Sequence, residues 1–139
     1  MVDEASTYPV GLRLDGRRVL VVGAGQVAQR RIPGLLAAGA LITVVSPACT
    51  PTIEGLSRSG QLTWIPRGFA PSDVSDVWYA IAATDSAEVN QQVQNQCEAH
   101  RIFCVRSDDA SDSTAVTPAT GAHGPLLIAV HARSLSQRD

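Results

Sequence analysis

Lysine is absent from these 139 residues, and all eleven basic residues are arginine. Chemistry that needs a primary amine, such as a Schiff base or a P-loop lysine, is therefore excluded. Cysteine is scarce too. Cys49, Cys97 and Cys104 are odd in number and widely spaced, with no CxxC pair among them. That excludes a structural zinc site and a thioredoxin-type motif. Cys97-x-x-His100 has the spacing of half a metal site, but Cys97 continues the apolar stripe of Val89 and Val93 and reads as a buried core thiol. No apolar run approaches the roughly 20 residues needed to span a bilayer. The net charge of −2 gives no electrostatic basis for nucleic acid or an anionic membrane as partner. The opening Met-Val-Asp-Glu-Ala-Ser is acidic and lacks a signal-peptide apolar region, so a cytoplasmic location is expected.

What is present is ordinary for a globular chain: 45% hydrophobic and 17% charged residues, in a length that suits one core. The informative segment runs from Arg17 to Arg31. A Val- and Leu-rich run breaks into Gly23-x-Gly25-x-x-Ala28 and then into a helix-like stretch, the first turn of a dinucleotide-binding βαβ unit. Gly23 lets the chain turn tightly off the strand, Gly25 lets the backbone approach a pyrophosphate, and Ala28 lets helix and strand pack closely. Phosphates would sit at the helix N-terminus, where free N–H groups and the helix dipole favour anions.

Periodicity then alternates. Strands are expected at 17–22, 41–45 (buried and apolar on both faces), 61–65, 77–83 and 102–105. Helices are expected at 26–38, ended by Gly39, at 50–57, and from a capping box at Asp85 and Glu88 to His100. Pro33 and Gly34 inside the first helix predict a kink or a helix held by tertiary packing. The segment 66–74 reads as loop. After the fifth strand the rhythm stops, and 114–117 and 126–130 read as further strands around a Gly-rich turn. The expected fold class is α/β, a Rossmann-like parallel sheet with helices on both faces, followed by a short C-terminal β extension. The expected division is 1–112 for the nucleotide-binding domain and 113–139 for the extension.

Dinucleotide folds usually carry an acidic residue after the second strand to hold the ribose. Here that position reads Thr43-Val-Val-Ser46-Pro47. Ser46 offers a weaker ribose hydrogen bond, and no arginine stands beside it to attract a 2′-phosphate; NAD is the expected cofactor. A second cluster, Ser107-Asp108-Asp109-Ala-Ser-Asp112, follows the fifth strand. Open α/β sheets bind ligands beyond the carboxyl ends of their strands, so it shares an edge with the glycine turn. Adjacent carboxylates there fit a general base, or simply a polar Asx turn. Asp85 shares that edge and reads as a helix cap.

Gly-x-Gly-x-Val-Ala-x-Arg-Arg, Thr-Val-Val-Ser-Pro, Ile-Ala-Ala-Thr-Asp, Asn90, Arg-Ile-Phe-Cys, the Ser-Asp-Asp turn, Thr-Pro-Ala and Gly-Pro-Leu-Leu-Ile-Ala-Val follow in one order. Together they closely resemble the N-terminal module of sirohaem synthase, the precorrin-2 dehydrogenase and sirohydrochlorin ferrochelatase family, from about Gly11 to Val130. The resemblance implies NAD-dependent oxidation of precorrin-2 to sirohydrochlorin and, in bifunctional members, insertion of ferrous iron. It places the catalytic aspartate on Asp108. Cofactor contacts fall on Gly23, Ala24, Gly25, Gln26 and Val27, and on Pro47 and Ala48 beside Ser46; Ala83 and Thr84 after the fourth strand complete the candidate set. No metal ligands are implied. One carboxylate at the cofactor edge can accept the proton released with hydride removal and those displaced on metallation. Burial under an apolar macrocycle is expected to raise its pKa toward neutrality. The family continues into a dimerisation segment and a helical domain. This sequence has His131-Ala-Arg-Ser-Leu-Ser136-Gln137 where the family has a Ser- and Gly-rich turn. The 113–139 segment is accordingly expected to begin the dimerisation region, with Leu126–Val130 pairing two subunits. A non-catalytic NAD-binding module and an inactive shortened relative are the alternatives.

Overall fold

A computed structural model describes residues 7–108 and 113–131. Five parallel strands form one sheet: β1 (Arg18–Val22), β2 (Leu41–Val45), β3 (Thr63–Ile65), β4 (Tyr79–Ala82) and β5 (Phe103–Arg106), in spatial order 3-2-1-4-5. The connections carry α1 (Gln26–Ala37), α2 (Pro51–Arg58), a 3-10 turn (Pro71–Val74) and α3 (Ala87–Ala99). The order reverses at β1, between β2 and β4. In such sheets the crevice at the carboxyl end of that strand is where ligands bind.

Strand alternation sends side chains to two cores. Val19 and Val21 of β1 face Ala28, Ile32 and Leu35 of α1 and Ile53 of α2. Leu20 and Val22 face Val74 and, with Ala80 and Ala82 of β4, share the second core with Val93 and Cys97 of α3. The expected doubly covered parallel sheet is therefore present. Cys97 is fully buried, as the apolar stripe implied. Pro33 does not break α1; buried Ile32 and Leu35 flank it, so packing holds the helix. Gly39, at φ +78°, follows the cap residue Ala38, in the left-handed conformation a helix stop favours.

Several local expectations need correction. The cap of α3 is Ser86, not Asp85: the Ser86 hydroxyl accepts the Val89 N–H at 3.2 Å. Leu41 is 56% exposed, so β2 is apolar on both faces but not buried throughout. The 66–74 loop ends in the 3-10 turn, capped by Asp73 accepting the Ala70 N–H. Residues 114–117 form no strand. The Thr114 hydroxyl accepts the Cys104 N–H at 2.8 Å, taking the place a partner carbonyl would need in a ladder.

Beyond the sheet, β6 (Ala119–His123) and β7 (Leu126–Val130) form a separate antiparallel hairpin around Gly124, which turns at φ +57°. All ten of its strand residues are exposed, including Leu126, Leu127, Ile128 and Val130. Among the described residues no helix is long and apolar enough to cross a membrane.

Candidate functional site

Four loops meet at the carboxyl end of the sheet. The first is the glycine turn after β1. Gly23 has φ +104°, and a Cβ there would collide with the Ala83 carbonyl oxygen and lie 2.6 Å from its carbon. Gly23 is thus glycine for two reasons, its backbone angle and the approach of the β4 end. Its N–H donates to the Val45 carbonyl at 2.9 Å, and the Thr50 N–H donates to the Ala24 carbonyl at 3.1 Å. These bonds draw the segment after β2, with Ser46, Pro47 and Ala48, against the turn. On the other side the Ala83 N–H donates to the Val22 carbonyl at 2.8 Å.

Gly25 differs in kind. Its φ of −91° suits any residue, and a Cβ there would meet nothing within 4 Å. The space it leaves open belongs to no neighbouring part of the described chain. As N-cap of α1 it supplies no side-chain acceptor, and the first turn of the helix carries no acidic residue. The N–H groups of that turn, including those of Gln26 and Val27, thus receive no side-chain cap, the condition in which a helix N-terminus suits an anion. Ala28, fully buried, brings α1 close to the sheet. These features fit the pyrophosphate of a dinucleotide.

After β4, Ala83 is buried and Thr84 is fixed by Asn90. The Asn90 Oδ1 accepts the Thr84 N–H at 3.1 Å and lies 2.7 Å from the Thr84 hydroxyl, while its Nδ2 donates to the Thr84 carbonyl. Asn90 is fully buried, so this fastening is shielded from water. Ser46 contributes its backbone to the scaffold: its N–H donates to the Ile65 carbonyl and its carbonyl accepts the Trp64 indole N–H at 2.9 Å. No carboxylate stands at positions 46–48.

The fourth loop carries Asp108. The Ser107 N–H and hydroxyl both donate to the Ala82 carbonyl, at 3.0 and 3.2 Å, which holds the end of β5 beside the end of β4. Asp108 therefore lies on the same edge as the glycine turn. Its partner is Arg106: Nε donates to Oδ1 and a terminal nitrogen to Oδ2, both at 3.1 Å. The Arg106 guanidinium, aided by Asn90, holds the Asp108 carboxyl below its ordinary range. This direction is opposite to that expected for the carboxyl under a macrocycle. Asp109 and Asp112 lie outside the described residues, as does the stretch from Ala132 to Gln137.

Sequence reasoning missed Arg106. The residue is only 6% exposed, and its other terminal nitrogen donates to Gln91 Oε1 at 2.6 Å and Gln94 Oε1 at 3.3 Å on α3. The signal was available: an arginine two positions before an aspartate, on the strand face that Cys104 shows to point inward. No group of three His, Cys, Asp or Glu side chains converges as a metal site among the described residues.

This is the arrangement of a dinucleotide-binding α/β domain with a carboxylate at its cofactor edge. A family model described as "Putative NAD(P)-binding" matches residues 10–119, and the chain belongs to that family. It is 39% identical over 122 residues to Siroheme synthase 1 of Aeromonas salmonicida and 42% identical over 123 residues to Siroheme synthase of Edwardsiella ictaluri. Each match takes in 88% of this chain but 26% and 27% of those proteins, so the chain spans about a quarter of their length. Among solved structures, SirC, a precorrin-2 dehydrogenase, superposes with a TM-score of 0.81 at 33% identity, over 94% of this chain and 64% of that one. A tRNA N6-threonylcarbamoyladenosine dehydratase of E. coli, at 17% identity and a TM-score of 0.53, shares the fold alone. The resemblance read from the motifs is thereby borne out.

Proposed function

We propose that this chain is the cofactor- and base-bearing part of a precorrin-2 dehydrogenase, using NAD to oxidise precorrin-2 to sirohydrochlorin in the cytoplasm. The observation that carries the reading is the placement of Asp108 beside β4, on the edge shared with the glycine turn. The similarity to SirC supports the choice of substrate. When bound, NAD supplies the hydride acceptor. Gly25 would give it room, the N–H groups of Gln26 and Val27 would hold its phosphates, and Pro47, Ala48, Ala83 and Thr84 would flank it. Ser46 in place of an acid supports NAD without strict exclusion of a 2′-phosphate.

Hydride loss from a reduced tetrapyrrole releases one proton as well. Asp108 is an ionised acceptor at neutral pH, because Arg106 keeps its pKa low. The same pairing makes it a weak base. An apolar macrocycle above it would exclude water and raise its proton affinity toward that needed for catalysis. Ferrous iron insertion, where it follows, would call on the same carboxylate for pyrrole protons.

The hairpin completes the reading. In a lone chain β6 and β7 leave an apolar two-stranded ribbon exposed, and such a ribbon is marginal by itself. We take 113–139 as the start of a dimerisation segment, separate from the 1–112 nucleotide domain, with β7 meeting a second copy. The decisive experiment is incubation of the purified chain with precorrin-2 and NAD, followed by NADH absorbance. NAD binding without NADH formation would leave a cofactor-binding module and remove the enzyme.

A further inference from the structure

We propose that Arg106 is a positioning residue for the reaction: its buried guanidinium, braced on α3 by Gln91 and Gln94, fixes the Asp108 carboxylate at the cofactor edge. The inference rests on the reading of Asp108 as proton acceptor, and it adds a residue that no motif in the chain announced.

The geometry is that of a clamp. Arg106 ends β5, and its side chain follows the face of Cys104, toward α3. Gln91 and Gln94 are three apart on that helix and so present their amides to one side. Both amide oxygens accept from the same terminal nitrogen of Arg106, at 2.6 and 3.3 Å. The main chain of Arg106 is held too, since its N–H donates to the Ser113 hydroxyl at 2.7 Å. With the arginine fixed at its base and its outer end, its remaining edge meets Asp108 through two parallel bonds. A bidentate fork sets the plane of a carboxylate, whereas a single contact leaves it free to rotate. The arginine side chain is 5% exposed and that of Asp108 29%, so the clamp is sheltered while the carboxylate stays reachable. This is the disposition a positioned acceptor needs.

Among the described residues, groups from β5 and α3 face this pair. From β5 they are Arg106 and the buried Cys104 thiol, whose ionised form is favoured first by the Cys97 thiol and then by the guanidinium. From α3 they are the neutral side chains of Asn90, Gln91 and Gln94, with the free Cys97 thiol beside Cys104 behind them. Among the described residues Arg106 is the charge that dominates Asp108.

The test uses the full chain with Arg106→Gln and Arg106→Lys, reading the Asp108 carboxyl directly by carbon NMR titration and the reaction by its pH profile. In the parent chain the Asp108 midpoint is expected below the usual carboxylate value of about 3.9. Arg106→Gln should raise it toward that ordinary value. It should also move the acid limb of kcat upward and lower kcat by about tenfold or more, with NAD affinity kept. Arg106→Lys keeps the charge and loses the fork, so the midpoint should stay low while kcat remains reduced. An Asp108 midpoint unmoved by Arg106→Gln overturns the proposal, as does full kcat in Arg106→Lys. If Arg106→Gln does not fold, Gln91→Leu removes the 2.6 Å brace and should shift midpoint and rate in the same directions. An Asp108 midpoint and a kcat both unchanged in Gln91→Leu would then overturn it. Absence of dehydrogenase activity in the parent chain would refute the proposed function, and the NMR midpoints would still judge the clamp.

Discussion

Replacing Gly25 with valine should separate cofactor binding from folding, and the contrast with Gly23 makes the outcome quantitative. At Gly25 the φ of −91° is open to any residue, and a new Cβ meets no protein atom within 4 Å. The cost to the fold is that of an apolar N-cap in place of glycine, about 1 kcal/mol or less. For a chain of this size that lowers Tm by roughly 2–5 °C. The valine methyls, however, occupy the space through which a pyrophosphate reaches the first-turn N–H groups of α1. Losing one charge-assisted bond there is worth about 1.5–3 kcal/mol, or roughly a ten- to 150-fold weaker Kd. Gly23→Ala should behave in the reverse order. Its φ of +104° and the Ala83 carbonyl against the new methyl strain the backbone itself. A cost of about 1–3 kcal/mol or more is expected, and with it a Tm fall of at least about 3 °C. Calorimetric titration with NAD and thermal melting by circular dichroism read both variants. Parent-like NAD affinity in Gly25→Val would refute the assignment of the turn to a pyrophosphate. Parent-like stability in Gly23→Ala would refute the close approach of the β4 end.

Asp108→Asn should keep NAD affinity and lower NADH formation from precorrin-2 by roughly 10² or more; a change of less than threefold would make Asp108 a turn residue. Asp73, 7% exposed, pairs with Arg67 at 2.7 Å and caps the 3-10 turn, and these contacts hold its carboxyl below the ordinary range. A lowered folded-state pKa stabilises above the unfolded value, about 4, and that stability is lost as pH falls through the folded value. Melting of Asp73→Asn should thus fall below the parent near neutrality and converge with it under acid, whereas parallel curves would exclude the linkage. The ion pair itself adds little, since Arg67 is 45% exposed. Light scattering should find a dimer that Ile128→Glu, at an exposed strand position, converts to monomer while NAD binding persists; a parent chain that is monomeric at high concentration would remove β7 as the dimer contact.

The first half of the fold was legible because its signals are local. Val19 to Val22, the glycine spacing and Gly39 each fix backbone geometry within a few residues, and the structure follows them closely. Ser86 and Asp85 are both good caps by type, and only the path of the loop, fixed by Thr84 and Asn90, selects the serine. Residues 114–117 look strand-like in composition. Yet the Thr114 hydroxyl satisfies the Cys104 amide, and no ladder develops.

The polar interior of α3 was illegible for a different reason, and that reason bears on function. Asn90 and Gln94 are buried residues that a hydrophobic pattern assigns to the surface, because pattern reading treats burial as a property of one element. Here their burial depends on groups from elsewhere: the backbone of Thr84 for Asn90, and the guanidinium of Arg106 for Gln94. A buried charge is tolerated only when its partners are in place, so Arg106, Gln91, Gln94 and Asp108 make sense only together. The motif turn of Asp108 was visible, while the apparatus that aims it was not, because the aiming is done across the gap between β5 and α3. A carboxylate aimed by such a buried network sits at the edge where the glycine turn opens toward a cofactor. That coincidence of polar burial and open space is what separates this edge from a merely polar loop.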